Sequence, residues 1–108
     1  MRDLVFRAEG MRLSRVEGFG GIVAGSSGYL RAVFELSPDY EGCEVIASFY
    51  DAAGRNYAEL LDDGACPVPS EVTGGRLWKV ALVAVAEGLR INTNSVIVRQ
   101  EARPDGNA

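Results

Sequence analysis

The 108 residues carry 11 basic and 15 acidic side chains, a formal charge of −4 and 47% hydrophobic residues, a composition of one ordinary globular domain rather than a disordered or fibrous chain. The longest uncharged apolar run, residues 80–86 (VALVAVA), is far short of the roughly 20 residues that a membrane-crossing helix needs, and Met1-Arg2-Asp3 opens without the apolar stretch of a secretory leader, so no membrane partner and cytoplasmic synthesis are expected. Histidine is absent, which removes Ser-His-Asp and Cys-His catalysis and the commonest metal ligand, and no catalytic residue, cofactor or metal is expected.

Leu4, Phe6 and Ala8 alternate with Val5, Arg7 and Glu9 as in a half-buried strand, and residues 11–16 supply a second one. Residues 18–28 (GFGGIVAGSSG) hold five glycines, and bare backbone amides can cradle phosphate. No Lys-Ser/Thr pair follows, however, and Val23 stands where a dinucleotide fingerprint needs a small residue, so the segment reads as a flexible inter-strand loop. In residues 29–36 Leu30, Ala32, Phe34 and Leu36 form one face, and in residues 43–50 Cys43, Val45, Ala47 and Phe49 do the same. The linking SPDYEG has turn chemistry, which predicts a hairpin with a wide loop. Cys43 and Cys66 lack CxxC spacing; in a reducing cytosol they read as free thiols, and a disulfide would require neighbouring strands.

Turns at residues 51–54 and at Asp62-Asp63-Gly64 bracket a strand over 55–61. The short piece 65–68 is an edge strand or extended crossover, because Pro67 and Pro69 cannot donate ladder hydrogen bonds, and residues 69–72 can make one helical turn. The apolar segment 77–85 (LWKVALVAV) and residues 89–100 (LRINTNSVIVRQ) form a C-terminal hairpin about Gly88; a helix over 80–90 competes, but its β-branched residues and Gly88 oppose it. Residues 101–108 (EARPDGNA) lack apolar content and read as a disordered tail after a domain spanning 1–100.

Strand starts at 29, 43, 55, 65, 77 and 89 have the spacing of an all-β fold, an antiparallel β-sandwich of about 7–8 strands, Ig-like or jelly-roll-like. Its expected core is Leu30, Phe34, Cys43, Val45, Phe49, Trp78, Val80, Leu82, Val96 and Val98. Charge is segregated: residues 1–31 carry +2, residues 32–75 carry −8 and residues 76–108 carry +2. An acidic middle argues against a nucleic-acid partner, which requires a clustered basic face.

Within residues 57–100, Asp63-Gly64, Cys66, Pro69, Trp78, Val80, Leu82, Gly88, Arg90, Asn92-Thr93-Asn94, Val96 and Val98 form a pattern that resembles small β-sandwich domains of tailed phages and prophages. The resemblance is to the N-terminal domain of baseplate upper proteins from phages of Gram-positive hosts. Ala84 stands where that pattern has glycine, and Asn92-Thr93-Asn94 where it has Thr-Thr-Asn. The resemblance implies a non-enzymatic structural or adaptor module of a phage or prophage particle, associated with tail or baseplate, that docks onto other virion proteins or itself.

The alternative is a carbohydrate-binding sandwich using exposed aromatics such as Tyr29, Tyr40, Tyr50 and Tyr57. Trp78 separates the two, since a sugar platform needs an exposed ring and the alternation with Val80 and Leu82 places it in the core. Residues 77–85 are apolar on both faces with only Lys79 interrupting, unlike a strand with one wet side. The opposite face gathers the candidate interface, Ile46, Tyr50, Ala81, Val83, Val85 and Ile97. Either a partner covers it or residues 18–28, with Phe19, Ile22 and Val23, fold over it.

Overall fold

The computed structural model describes residues 1–104. Among these, nine strands form two facing sheets: β1 (Arg2–Glu9), β2 (Arg12–Glu17), β3 (Leu30–Leu36), β4 (Glu44–Tyr50), β5 (Asn56–Leu60), β6 (Ala65–Pro67), β7 (Leu77–Ala86), β8 (Leu89–Asn92) and β9 (Val96–Arg99). One sheet has the order β2-β1-β3-β6 and the other β5-β4-β7-β8, with β9 also paired to β7. The chain is an all-β sandwich. Period-two alternation fills the space between the sheets: Phe6, Ala32 and Phe34 come from one, and Ala47, Phe49, Trp78, Val80 and Leu82 from the other, none more than 4% exposed. Phe6 stacks on Phe34 at 4.9 Å and Phe49 leans on Trp78 at 5.6 Å. Of the expected core, Cys43 and Val96 are only half-buried, because Cys43 precedes β4 and Val96 opens β9.

Three features depart from the sequence-based expectation. The hairpin between residues 29–36 and 43–50 does not form, since β3 pairs with β1 and β6 while β4 lies in the opposite sheet. The intervening residues cross the end of the sandwich through a 3₁₀ turn at Pro38–Tyr40, and the buried Tyr40 donates its hydroxyl to the Gly10 carbonyl at 2.6 Å. Alternation specifies which face of a strand is wet, and says nothing about which neighbour it takes.

The sandwich is also not purely antiparallel, because β1 and β3 run parallel with Arg2 opposite Leu30 and Ala8 opposite Leu36. That register sets Asp3 against Arg31 and Arg7 against Glu35 on the outer surface, each an ion pair at 2.9 Å. The Arg31 guanidinium, donating to Asp3, holds that carboxyl below its ordinary range.

Thirdly, the last strand is two strands. At the break, Thr93 Oγ1 accepts from the Leu82 amide at 2.9 Å and the Thr93 amide donates to the Leu82 carbonyl at 3.1 Å. Asn94 turns the other way. Its Oδ1 accepts from the Leu13 amide at 2.8 Å and its Nδ2 donates to the Leu13 carbonyl at 3.0 Å. One side-chain amide thus serves the β2 edge as a neighbouring strand would, closing one side of the sandwich.

Residues 18–28 are pinned rather than loose. The Arg2 guanidinium donates to the carbonyls of Gly18, Gly20 and Gly21, so this loop points carbonyls at a cation, the opposite polarity to a phosphate cradle. Gly18 sits at φ 98°, where a Cβ would collide with the Asp3 carbonyl oxygen. Phe19 meets Phe6 edge-on at 5.0 Å, while Ile22 and Ala24 are buried. Glu101, expected in the tail, is held by its amide to the Ile22 carbonyl at 2.7 Å and by its carbonyl to the Ala24 amide at 2.8 Å. Residues 105–108 of the expected tail lie outside the described residues.

Candidate docking face

The outward residues of the five-stranded sheet follow directly from its register, because Val45, Ala47 and Phe49 of β4 and Trp78, Val80, Leu82 and Ala84 of β7 are buried and the alternate positions face away. Cross-strand pairing arranges them in rows. Leu60, Ile46 and Val83 make a row of large side chains, and the next row along the strands, Ala58, Ser48 and Ala81, is small. Beyond it Tyr50 lies beside Lys79, which is opposite Ile97 on β9. On the other side of the large row, Glu44 lies beside Val85, which is opposite Arg90 on β8.

All six candidate interface residues therefore share one face. Ile46, Tyr50, Ala81, Val83 and Val85 are half-buried and Ile97 is 41% exposed. The structure adds Leu60, 60% exposed at the β5 end of the large row. Its signal in the sequence was obscured, since the core-facing residue one step before it is the polar Glu59.

Residues 18–28 do not cover this face. Their contacts with Arg2, Phe6, Thr73 and Glu101 tie them to the margin of the sandwich, which removes the self-covering alternative. A shallow groove of about 400 Å³ instead opens on the sheet where β8 and β9 part, floored by Tyr50, Leu77, Lys79 and Ala81 and walled by Thr93 and Ser95. Asp51 also borders the groove, but its carboxylate is occupied by the Ala53 and Arg55 amides and the Arg55 guanidinium at 2.9–3.1 Å. Those donors, the Arg55 amide foremost, hold its carboxyl below the ordinary range.

On the four-stranded sheet Val5 and Val33 lie between the two ion pairs, while Glu9, Arg12 and Glu17 on its β1–β2 side form no ion pair among the described residues. On the five-stranded sheet Glu44, Lys79, Arg90 and Arg99 form no ion pair among the described residues, although they flank its apolar rows.

The aromatic side chains do not assemble into a platform. Trp78 is fully buried, as its alternation predicts, and donates its indole N–H to Gln100 at 3.1 Å. Tyr40, expected among the exposed aromatics, is buried under the 3₁₀ turn. Tyr29 is 52% exposed beside the other sheet, and Tyr57 pairs with the inward Phe49.

Both cysteines are free, with Cys43 half-buried ahead of β4 and Cys66 buried on β6 in the opposite sheet. Burial pushes the Cys66 thiol up to about 12, so it is protonated where an exposed thiol would ionise. Alkylation of the native chain at pH 8 is expected to label Cys43 first and Cys66 only after denaturation. The unfolded thiol ionises from its ordinary value of 9.0 while the folded one retains its proton, so this group's contribution to stability is full below pH 9 and falls as pH rises toward 12. Equal native labelling of both thiols, counted by mass spectrometry, would contradict that burial.

No protein-family model, no curated protein and no solved structure matches the chain.

Proposed function

We propose that the chain is a non-enzymatic docking module, a structural or adaptor component of a phage or prophage particle associated with its tail or baseplate. It acts through the outer face of its five-stranded sheet, and the observation that carries this reading is that face: half-buried apolar side chains aligned across the strands and left uncovered by the chain's own glycine-rich segment. Contiguous apolar surface of this kind marks contact sites. The placement of the resemblance within a particle rests on residues with architectural work, since Trp78 and Cys66 are buried, Thr93 and Asn94 bridge strands and Gly88 turns at φ 72°.

Lys79 is the chain's single lysine and lies exposed within that face, which makes it a reporter. Acylation of Lys79 is expected to be strongly suppressed in cells that express the chain from its own genome, relative to the dilute purified chain. Equal reactivity in both settings would defeat the docking reading.

A further inference from the structure

We infer that the partner on this face is a second copy of the same chain, packed sheet against sheet about a two-fold axis that runs across the strands between the large and the small row. This rests on the docking reading above and adds the identity and register of the occupant.

The argument is self-complementarity. A two-fold axis in the plane of the sheet and perpendicular to the strands reverses strand direction and lays β7 over β7 and β4 over β4. With the axis between the two central rows, the row Leu60, Ile46, Val83 of each copy falls on the row Ala58, Ser48, Ala81 of the other. Large side chains then enter the space above small ones, the interdigitation by which aligned sheets pack about 10 Å apart.

The same operation settles the flanking rows with no further freedom. The row holding Glu44 and Val85 falls on the row holding Tyr50 and Lys79. Val85 of one copy then points toward the groove of the other, floored by Tyr50 and Ala81. Glu44 meets Tyr50 of the second copy and lies one strand from its Lys79, within reach of two long side chains. Both groups are exposed and neither has an ion-pair partner among the described residues. The axis generates this contact twice. The alternative, an axis parallel to the strands, would set each row against itself, large on large.

Four strands about 4.8 Å apart and four rows about 6.8 Å apart give each copy roughly 500 Å² of contact area. The total of about 1,000 Å² falls in the small, weak class of interfaces, so the dimer is of modest affinity and set by concentration.

The experiment uses the purified full chain. Within one chain Glu44 and Lys79 lie at opposite ends of the β4–β7 ladder, six residues or about 20 Å apart. A zero-length carbodiimide cross-link between them can therefore form only between copies, and with a single lysine its assignment is unambiguous. A Glu44–Lys79 cross-link is expected, together with a mass that rises with concentration in sedimentation. Lys79→Glu and Glu44→Lys are each expected to raise the dimer dissociation constant about tenfold, and the double variant to restore it. Circular dichroism checks that these exposed substitutions leave the fold intact. A monomer up to millimolar concentration, or a dimer without this cross-link and indifferent to charge reversal, would overturn the inference. Lys79 protected in cells while the purified chain is monomeric would remove the second copy and leave docking standing; Lys79 unprotected in cells would remove docking as well.

Discussion

Phe49→Ala is expected to lower the unfolding free energy by about 3–5 kcal/mol, the range for deleting a large aromatic side chain from a packed core. Phe49 is fully buried, sits against Trp78 at 5.6 Å and lies on a strand paired on both sides, opposite Tyr57 on β5 and Val80 on β7. Two backbone ladders hold β4 in place, so the strands cannot draw together to fill the space that the ring leaves. Phe34→Ala is expected to cost a similar amount, since that ring is stacked on Phe6 between β1 and β6. Against a typical total of roughly 5–15 kcal/mol, either loss is large. Leu60→Ala, on the outer face at 60% exposure, is the comparison and is expected to change stability by under about 0.5 kcal/mol. Urea denaturation measures all three; phenylalanine variants that unfold at the wild-type midpoint would mean that these rings do not form the core.

The contrast between those positions also shows where sequence reasoning succeeds. Leu30 to Leu36, Glu44 to Tyr50 and Leu77 to Ala86 alternate so regularly that a period of two fixes which side chains are inward, and the outer face of the five-stranded sheet follows as its complement. Alternation is local, however, and sheet membership is not. Nothing in residues 29–50 distinguishes a hairpin within one sheet from a crossing between two, because a loop of six residues can do either. The partner that decides the matter, β1, lies nearly thirty residues upstream and pairs in parallel.

Polar side chains that replace backbone partners were equally hidden. Asn92-Thr93-Asn94 reads as an ordinary interruption, and only the fold reveals that Thr93 completes the β7 ladder while Asn94 caps β2 more than eighty residues away in sequence. By composition the glycine-rich segment reads as flexible. Its fixed position depends on Arg2, Thr73 and Glu101, three residues dispersed along the chain whose roles no local pattern carries. For the docking face the same limit applied in one place: Leu60 completes the large row, but the polar Glu59 at an inward position masked the alternation of β5.

Gln100→Leu is expected to cost about 2–4 kcal/mol although leucine is apolar, close in size and placed where the wild-type side chain is only 5% exposed. The loss comes from what the amide leaves behind. Oε1 accepts the Trp78 indole N–H at 3.1 Å, and Nε2 donates to the Thr73 carbonyl at 3.0 Å and to the Gly75 carbonyl at 2.7 Å. Thr73 keeps a second donor, the Gly25 amide at 2.8 Å, so leucine orphans the indole N–H and the Gly75 carbonyl, each at about 1–3 kcal/mol. Gln100→Glu separates this from a mere change of shape. At neutral pH it retains the acceptor for Trp78 but sets a carboxylate against two carbonyls, which is worse than leucine. As pH falls and that carboxyl protonates, it regains one donor, so its stability relative to Gln100→Leu rises toward acid pH. The damage is also expected to spread locally, because Thr73 connects this hub to the glycine-rich segment through its hydroxyl bond to the Ser26 carbonyl at 2.7 Å. Amide exchange at Gly25 and Ala24 is therefore expected to accelerate in Gln100→Leu more than in Phe49→Ala variants compared at equal global stability. A variant that unfolds with the wild type in urea and leaves those amides protected would show that the Trp78–Gln100 contact is dispensable and that packing alone holds the segment.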